Sequence, residues 1–206
     1  MPSTSSSAIR REPQQERSTR RLGSFLDAAA DLFVEVGFES ATMTAIAERS
    51  GASIGTLYHY FPDKRSIASA LVSQYAQEIE AHWKPLMEQA HTLTHERFAD
   101  SFIECILDFV NKRPAYLALL AAPTRFSRDP AARKALRLAI ADAFRAKNPG
   151  LSNERALLAA NVALQIVKGV PALYSETGTR EKPLLVAEFK KALSLYLGTV
   201  LSEVKV

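Results

Sequence analysis

The stretch "SGASIGTLYHYFPDK", residues 50–64, decides the fold of the N-terminal part of the chain. It predicts one short helix, 54–61, which Ser53 caps and the following proline ends. Leu57 and Phe61 lie one turn apart, so both side chains can point into a core. Most of the remaining side chains are polar. The outer face of this helix therefore needs a partner that the helix itself does not supply.

Two further helices precede this stretch. From Arg17 onward apolar residues recur every three or four positions until Gly37, which predicts a helix ended by a glycine cap. Thr42 is a good N-cap for a short helix over 43–49. A tight turn follows, in which Gly51 is free to adopt a positive φ. Two short helices joined by a tight turn and supported by a longer helix form a helix-turn-helix.

The helix-turn-helix interpretation explains the polar face. A major groove is wide enough to admit one helix, and the outer side of helix 54–61 is free to enter it. Ser53 and Gly55 leave backbone N–H groups open to phosphate. The side chains that can donate to phosphates or base edges are Thr56, Tyr58, His59 and Tyr60, with Lys64 as a point charge for the backbone.

The rest of the chain is also predicted to be helical. Asp63 can cap a long helix that runs from Lys64 towards His91. Later helices are expected around the stripe Phe98–Phe109, from Pro114 to Pro123, from Pro130 to Lys147, from 152 to 175 with a bend at Gly169 and Pro171, and from 183 to 202. No strand-like alternation or internal repeat is visible. The fold class is all-α with about nine helices, and residues 1–14 are interpreted as a disordered arm.

Composition excludes several classes of protein. The chain has 206 residues, 47% of them hydrophobic, and a single cysteine, Cys105, which rules out an intramolecular disulfide framework and fits a reducing cytoplasm. No window approaches the length of a membrane span, and the N-terminus lacks the apolar region of a secretory signal. The net charge of +4 permits a polyanionic partner without requiring one. Residues 1–65 carry no net charge, so only local placement, such as the arginines of 17–21, can indicate DNA.

The residues from Gly37 to Lys64, "GFESATMTAIAERSGASIGTLYHYFPDK", resemble the DNA-binding motif of the TetR/AcrR family. The resemblance rests on the glycine–aromatic pair at 37–38, on Thr42 four residues before Ile-Ala, and on the run from Gly51 to Phe61 followed by Lys64. It covers about residues 17–70. One position departs from the family pattern: Ala45 stands where an acidic residue often completes a capping box, which weakens that cap by under ~1 kcal/mol.

This resemblance implies a DNA interface. Thr44, Tyr58 and Lys64 would contact phosphates, and Arg17–Arg21 can reach adjacent ones. The groove-facing set would be Ser53, Ile54, Gly55, Thr56, His59 and Tyr60, with Thr42 and Met43 at the start of the preceding helix. Base readout would depend on Thr56, His59, Tyr60, thymine methyl groups and DNA shape. The alternative for each residue taken singly is a solvated helix with partly packed tyrosine rings.

The resemblance also implies a homodimer formed by the last two helices, matching a palindromic operator. The apolar positions that exceed the needs of one helix face are Leu157, Leu158, Val162, Leu164, Ile166, Val167, Leu184, Leu185, Phe189, Leu193, Leu195, Tyr196 and Val200. The alternative is that they form intramolecular core. The expected division is an arm at 1–14, a helix-turn-helix DNA-binding domain at 15–62, and a helical effector-binding and dimerisation domain at 63–206.

A small-molecule effector would bind among the middle helices. The candidates are Trp83, Phe102, Cys105, Phe109, Tyr116, Phe126, Asn161, Gln165 and Tyr174. The aromatic residues also fit an ordinary core. Asn161 and Gln165 lie four apart on an otherwise apolar helix, and buried amides need partners, which a ligand, water or a neighbouring backbone could supply. Helix 64–91 would link this pocket to the reading head, which is the helix-turn-helix domain at 15–62.

The leading hypothesis is a cytoplasmic, ligand-responsive regulator, in this family most often a repressor. The alternative is an architectural DNA-binding protein without effector control. An enzyme is not expected, because Cys105 has no placed base and neither a phosphate loop nor a nucleophile elbow occurs. His91 and His95 have a helical metal spacing but lie near a predicted helix break, so neither a metal nor a cofactor is expected. The basic run Arg125, Arg128, Arg133, Lys134 and Arg137 is interpreted as a solvated surface that could also attract an acidic ligand.

Overall fold

A computed structural model describes residues 14–122 and 130–202, and within these ranges every regular element is a helix and no strand forms. The α-helices are α1 (Gln14–Ser40), α2 (Met43–Arg49), α3 (Ile54–Tyr60), α4 (Lys64–Gln89), α5 (His95–Lys112), α6 (Pro114–Leu120), α7 (Pro130–Lys147), α8 (Asn153–Glu176) and α9 (Lys182–Leu201). A single 3₁₀ turn, Ala90–Thr92, follows α4. The prediction of an all-α fold with about nine helices is confirmed for the described residues. The predicted arm lies outside them, apart from Gln14.

The first three helices pack around a small apolar centre. Phe25, Ala29 and Phe33 line the buried face of α1 and are fully shielded from solvent. Ile46 of α2 and Leu57 of α3 are equally buried and belong to the same cluster. Each short helix thus contributes one large side chain to α1, as a helix-turn-helix requires.

The N-caps predicted at Thr42, Ser53 and Asp63 are present, whereas the cap predicted at Asp129 lies outside the described residues. The side chain of Thr42 accepts a hydrogen bond from the Ala45 N–H at 3.1 Å, so this cap forms without an acidic residue at position 45. The Asp63 carboxylate accepts from the Ser66 N–H at 2.7 Å, and the two residues complete a capping box at the start of α4. These bonds satisfy N–H groups that have no partner within their own helix.

Gly37 interrupts α1 near its end. Its backbone has φ 77° and ψ 164°, a region that is open almost only to glycine. The chain therefore turns there, as the sequence predicts, although helical hydrogen bonding resumes up to Ser40. The turn brings Phe38 back onto Phe33, with ring centroids 5.4 Å apart. Phe38 becomes part of the N-terminal core as a result.

Several helix boundaries differ from the prediction by one to three residues. Helix α3 ends at Tyr60, because Phe61 adopts an extended conformation before proline. Helix α4 ends at Gln89, and Ala90–Thr92 forms the 3₁₀ turn instead of the last helical residues. Helix α6 ends at Leu120 rather than at residue 123. Such shifts are ordinary where a helix end is decided by local capping.

The C-terminal helices form a second apolar core that is continuous with the first. Helix α9 packs on α5, and α8 lies against α7 and α9. Aromatic rings join these helices to α4: the Trp83 ring lies 4.8 Å from that of Phe102, and Phe98 contacts both Phe102 and Phe144. Every one of these rings is buried.

Helix α8 corrects one expectation from the sequence. Its 24 residues include an 18-residue window of mean hydropathy 1.6, so by length and composition alone this helix could cross a membrane. The expectation that no segment approaches such a length is wrong. The helix is apolar because it is packed between α5, α7 and α9, with Ala160, Ala163 and Val167 fully buried.

The conformation of Gly37 gives a direct test of this architecture. We expect Gly37→Ala to lower the free energy of unfolding by about 1–3 kcal/mol, because a Cβ disfavours this backbone region even though it would meet no atom within 4 Å. Gly23→Ala is the matched control: it also has free space, lies at an ordinary φ inside α1, and should raise stability by about 0.5–1 kcal/mol. Urea unfolding measures both. Equal effects of the two substitutions would contradict the assigned turn.

Candidate nucleic-acid interface

Helix α3 presents its polar side chains to solvent. Leu57 is fully buried and fixes the rotation of the helix, whereas Thr56, Tyr58 and His59 are exposed, Tyr58 by 52%. Ser53, Ile54 and Gly55 at its beginning are exposed as well. The structure therefore brings most of the predicted groove-facing residues together on one open surface.

Gly55 lies on that surface without an internal reason to be glycine. Its φ is not positive, and a Cβ added there would meet nothing within 4 Å. Neither backbone strain nor packing against the part of the chain that the structure describes requires its small size. A close approach by something outside the protein would.

Ser53 and Thr56 are linked. The Ser53 hydroxyl accepts from the Thr56 N–H at 3.2 Å, and the two hydroxyl oxygens are 2.8 Å apart. The cap therefore holds the Thr56 side chain in one orientation at the start of α3. An orientation fixed before binding reduces the side-chain entropy lost when a partner binds.

Tyr60 is only partly available. Its ring packs edge-on against Phe25 with centroids 5.5 Å apart, and its hydroxyl oxygen is 3.3 Å from that of Ser18 on α1. The side chain is half-buried. Tyr60 therefore matches the alternative of a partly packed tyrosine ring. It helps to position α3 on α1, and only part of its side chain faces solvent.

A cleft of about 650 Å³ lies where α1 meets α3. Its residues are Arg17, Ser18, Arg20, Arg21, Ser24, Thr56, His59 and Tyr60. The basic first turns of α1 are thus placed directly beside the open face of α3. The basic residues of α1 and the polar face of α3 can both be seen in the sequence, but their proximity is visible only in the structure.

The start of α2 contributes unequally. The Thr42 hydroxyl forms the cap described above, and Thr44 is exposed. Met43 is half-buried and packs against the N-terminal core. Of the three predicted positions here, Thr44 alone combines a polar group with an open side of the helix and no capping role.

Lys64 has partners inside the protein that the sequence did not reveal. Its ammonium donates to the carbonyls of Glu39 at 2.8 Å and Ala41 at 2.9 Å, and it lies 4.5 Å from the centre of the Phe38 ring. The lysine thereby fastens the start of α4 to the segment after Gly37. Two of its three donors are used, so a phosphate contact, which stays a prediction, would depend on the third.

An ion pair holds α2 against α1. Both guanidinium nitrogens of Arg49 donate to the carboxylate of Glu35, at 2.6 and 2.7 Å. The hydrogen bond from Arg49 lowers the pKa of Glu35, and in turn raises the pKa of Arg49. Glu35 thus remains ionised to lower pH than a free glutamate.

Most aromatic effector candidates are core residues. Trp83, Phe102 and Phe109 are buried, and the Phe109 ring contacts Tyr116 and Tyr75, with centroids 5.4 and 6.0 Å away. Burial raises the pKa of Tyr75 to about 12. This residue, which the sequence analysis passed over, connects α4 with α5 and α6.

Cys105 is half-buried on α5. Burial raises the pKa of its thiol, and the nearby carboxylates of Asp108 and Glu104 raise it further. A thiol with a raised pKa is a weaker source of the reactive thiolate. This environment agrees with an unreactive side chain rather than a nucleophile.

The premise that Asn161 and Gln165 form a pair of buried amides is wrong. Gln165 is exposed and Asn161 is half-buried, so they are not a pair of buried amides. The buried stripe of α8 runs along Ala160, Ala163, Leu164 and Val167, and Gln165 falls on the opposite side. Of the other candidates, Tyr174 is half-buried beneath Lys182 at 4.4 Å, and Phe126 lies outside the described residues.

The predicted dimer positions divide into three groups, one of which is partly buried: Leu157, Ile166, Leu185, Phe189 and Tyr196. Leu164, Val167, Leu193 and Val200 are buried within the chain, as the alternative of intramolecular core requires. The exposed group is Leu158 at 56%, Val162 at 37%, Leu184 at 69% and Leu195 at 64%. These leucines and the valine leave an unpartnered apolar face on α8 and α9, and Gln165 lies on it.

His95 has close neighbours, whereas in the described part of the basic run the buried Arg137 Nε has no partner among the described residues. The His95 Nε2 is 2.8 Å from a Glu96 carboxylate oxygen, and the ring packs against Gly198, where an added Cβ would approach Nε2 to 2.9 Å. Arg125 and Arg128 lie outside the described residues. Lys134 is exposed, and Arg133 and Arg137 are half-buried.

Two family models match the chain. Residues 25–71 match the model described as bacterial regulatory proteins of the tetR family, and residues 94–197 match the tetracyclin repressor-like C-terminal domain. The chain belongs to the TetR family. The first match contains the whole of α2 and α3, and the second extends from the N-cap of α5 into α9. Both the reading head and the helical body therefore carry the family pattern.

Curated relatives match over the N-terminal part of this TetR-family chain. The regulator UidR of Escherichia coli K12 is 33% identical over 95 residues, which are 46% of this chain and 45% of UidR. The repressor KstR of Mycolicibacterium smegmatis is 40% identical over 76 residues, 37% of this chain and 34% of KstR. The chain thus spans less than half the length of these relatives.

Solved structures share the fold of this TetR-family chain over most of its length. A TetR-family regulator from Pectobacterium atrosepticum has a TM-score of 0.68 at 17% identity, covering 93% of this chain and 99% of that one. FadR of Bacillus subtilis, solved in complex with stearoyl-CoA, has a TM-score of 0.62 at 19% identity, covering 85% and 97%. At such identities the likeness concerns the fold.

Lys64 allows structural and DNA-binding roles to be separated. We expect Lys64→Met to lower the free energy of unfolding by about 1–2 kcal/mol, because two hydrogen bonds from a half-buried ammonium are lost. Lys134→Met, at an exposed lysine of α7, is the charge-matched control and should leave stability nearly unchanged. If Lys64 also contacts a phosphate, its loss reduces the slope of log K against log salt by about 0.9. An unchanged slope would assign Lys64 to the fold alone.

Proposed function

We propose that this TetR-family protein is a cytoplasmic, sequence-specific DNA-binding regulator, a repressor that a small-molecule effector releases from a palindromic operator. The observation that carries the proposal is the open polar face of α3, held outward by the buried Leu57. Thr56 and His59 supply donors and acceptors for base edges, and Tyr58 a hydroxyl for the backbone. Support also comes from the relatives UidR and KstR, which are named a transcriptional regulator and a transcriptional repressor.

The cleft between α1 and α3 supplies the charge for this contact. Arg17, Arg20 and Arg21 stand beside the open face of α3, although the first 65 residues as a whole carry no net charge. Phosphates on either side of a major groove approach both helices when α3 enters it. The local arrangement therefore favours a duplex partner where the overall charge does not.

The exposed apolar face on α8 and α9 supports a twofold dimer. Leu184 and Leu195 of α9 and Leu158 of α8 are more than half exposed in one chain. Pairing two copies would bury this face and produce a four-helix bundle, and two α3 helices related by a twofold axis suit a palindromic site. Gln165 then belongs to the interface and not to an effector pocket.

Effector control would pass through α4. This helix carries Lys64 at its reading-head end and Trp83 in the C-terminal core. Near its middle, the Arg113 guanidinium donates to Glu78 at 2.7 Å and ties α4 to the junction of α5 and α6. Burial raises the pKa of Glu78, but hydrogen bonds from Arg113 and Gln74 outweigh it and hold the pKa below the usual value. A tilt of α4 would change the spacing of the two reading heads.

Substitutions on α3 test the DNA contact. We expect Tyr58→Ala to weaken binding to all duplexes alike and to flatten the salt dependence, because it removes a backbone contact. Thr56→Ala and His59→Ala should alter base preference instead, by about 1 kcal/mol or more at the affected position. Fluorescence anisotropy on sites selected from genomic DNA, at several salt concentrations, measures both effects.

Two controls make this test specific. Tyr174→Ala removes a half-buried tyrosine from α8 and should leave DNA affinity unchanged. Tyr58→Phe keeps the ring and removes only the hydroxyl, so it should reproduce the loss if that group contacts the phosphate. DNA affinities that stay at the wild-type level in all three alanine variants of α3 would refute the interface. Sequence-specific binding that no small molecule relieves would favour the architectural alternative.

The dimer face has its own test. Leu195→Glu should shift the protein from dimer to monomer in sedimentation experiments and abolish tight binding to a palindrome, because two carboxylates would face each other in an apolar contact. Leu138→Glu is the matched control, since Leu138 is 42% exposed on α7, away from this face. A Leu195→Glu protein that remains dimeric would show that another surface forms the interface.

A further inference from the structure

A groove of about 620 Å³ lies between α4 and α7. Its walls are mostly small and apolar: α7 contributes Leu136 and the alanines at 135, 139, 143 and 146, and α4 contributes Ala81, Trp83 and Met87. This volume is in the range of sites that hold small organic molecules. Small residues on one helix and an aromatic ring on the other leave room for a slender apolar body.

Two residues that line this groove each carry a buried polar atom without a partner among the described residues. The Trp83 side chain is only 2% exposed, and its Nε1–H donates to no atom of the described residues. One carboxylate oxygen of Glu80, one turn earlier on α4, is buried and also has no partner among the described residues. Buried donors and acceptors are nearly always paired, so an unmet donor and an unmet acceptor in one groove indicate a ligand that satisfies both.

The charges around the groove restrict that ligand further. Glu80, Glu88 and Asp142 contribute three carboxylates, and Lys84 contributes the one ammonium among the groove residues. Arg137 of α7 is two positions from both Ala135 and Ala139, which places it about 200° around the helix from them. An anionic head group would therefore meet like charges without a compensating arginine.

We propose that this groove binds a slender apolar molecule with an uncharged polar end that both accepts and donates hydrogen bonds, as a primary amide does. The acceptor oxygen takes the Trp83 Nε1–H and the donor reaches Glu80. This chemistry differs from that of the stearoyl-CoA bound to FadR, which is anionic. The groove serves the regulator proposed above only if its occupant also shifts α4, but occupancy itself can be measured without DNA.

Decanamide and decanoate are suitable probes because they share one chain and differ in the head group. Trp83 is the only tryptophan of the protein, so its fluorescence reports directly on the groove. We expect decanamide to change this fluorescence and to bind at least about tenfold more tightly than decanoate. Equal affinities for the two probes, or no binding of decanamide, would overturn the proposal.

Three variants locate the binding. Trp83→Phe keeps a ring but removes the donor, and calorimetry should show about a tenfold loss of decanamide affinity. Glu80→Gln should still bind decanamide, and the ratio of its affinities for decanamide and decanoate should be smaller than in the wild type. Ala139→Phe fills the groove from an exposed position and should abolish binding, whereas Leu138→Phe on the adjacent position should not. Thermal unfolding verifies that each variant is folded.

The remaining outcomes are also decisive. If Ala139→Phe and Leu138→Phe bind decanamide equally well, the probe is elsewhere and the groove is not its site. If Ala139→Phe instead changes the oligomeric state, the groove is a protein contact and the proposal fails. If the protein binds DNA but neither decanamide nor decanoate, the proposed ligand site in the groove is wrong and the proposed DNA-binding function stands. If decanamide binds in the groove and DNA affinity does not change, the proposed ligand site is supported. Effector control through this site is then wrong.

Discussion

The burial of Leu57 against α1 is the constraint on which the reading head depends. A seven-residue helix cannot hold itself in place, because so few internal hydrogen bonds do not repay the entropy of ordering it. One fully buried side chain, together with the Ser53 cap, fixes both its position and its rotation. Since side chains three and four apart share a helix face, the same rotation that buries Leu57 turns Thr56 and His59 outward.

Helix α4 joins this reading head to the helical body through contacts of two kinds. At its start, Lys64 satisfies carbonyls that the turn at Gly37 leaves open. Farther along, Tyr75 and Trp83 pack into aromatic clusters with α5 and α6. The proposed effector control would therefore have to act through α4, which contacts both α1 of the helix-turn-helix and α7 of the groove.

Much of the site could be predicted because its signals are local. Caps at Thr42, Ser53 and Asp63 and the positive φ of Gly37 follow from residue type and spacing. The failures concern long-range relations. Gln165 was judged by its apolar neighbours, but which side of α8 is buried depends on where α5, α7 and α9 lie. The alanine spacing of α7 was a visible signal of a groove, yet only its position opposite Trp83 gives that signal chemical meaning.

By itself, the sequence determined the all-α class, the helix-turn-helix and the side of α3 that carries polar groups, because periodicity and capping act within a few residues. Tertiary structure decided which of those groups are free. It engaged Lys64 with carbonyls, placed Tyr60 against Phe25, and left the Trp83 donor without a partner in residues 14–122 and 130–202. Such outcomes depend on distances between residues that are remote in the chain, and packing of the whole molecule sets those distances.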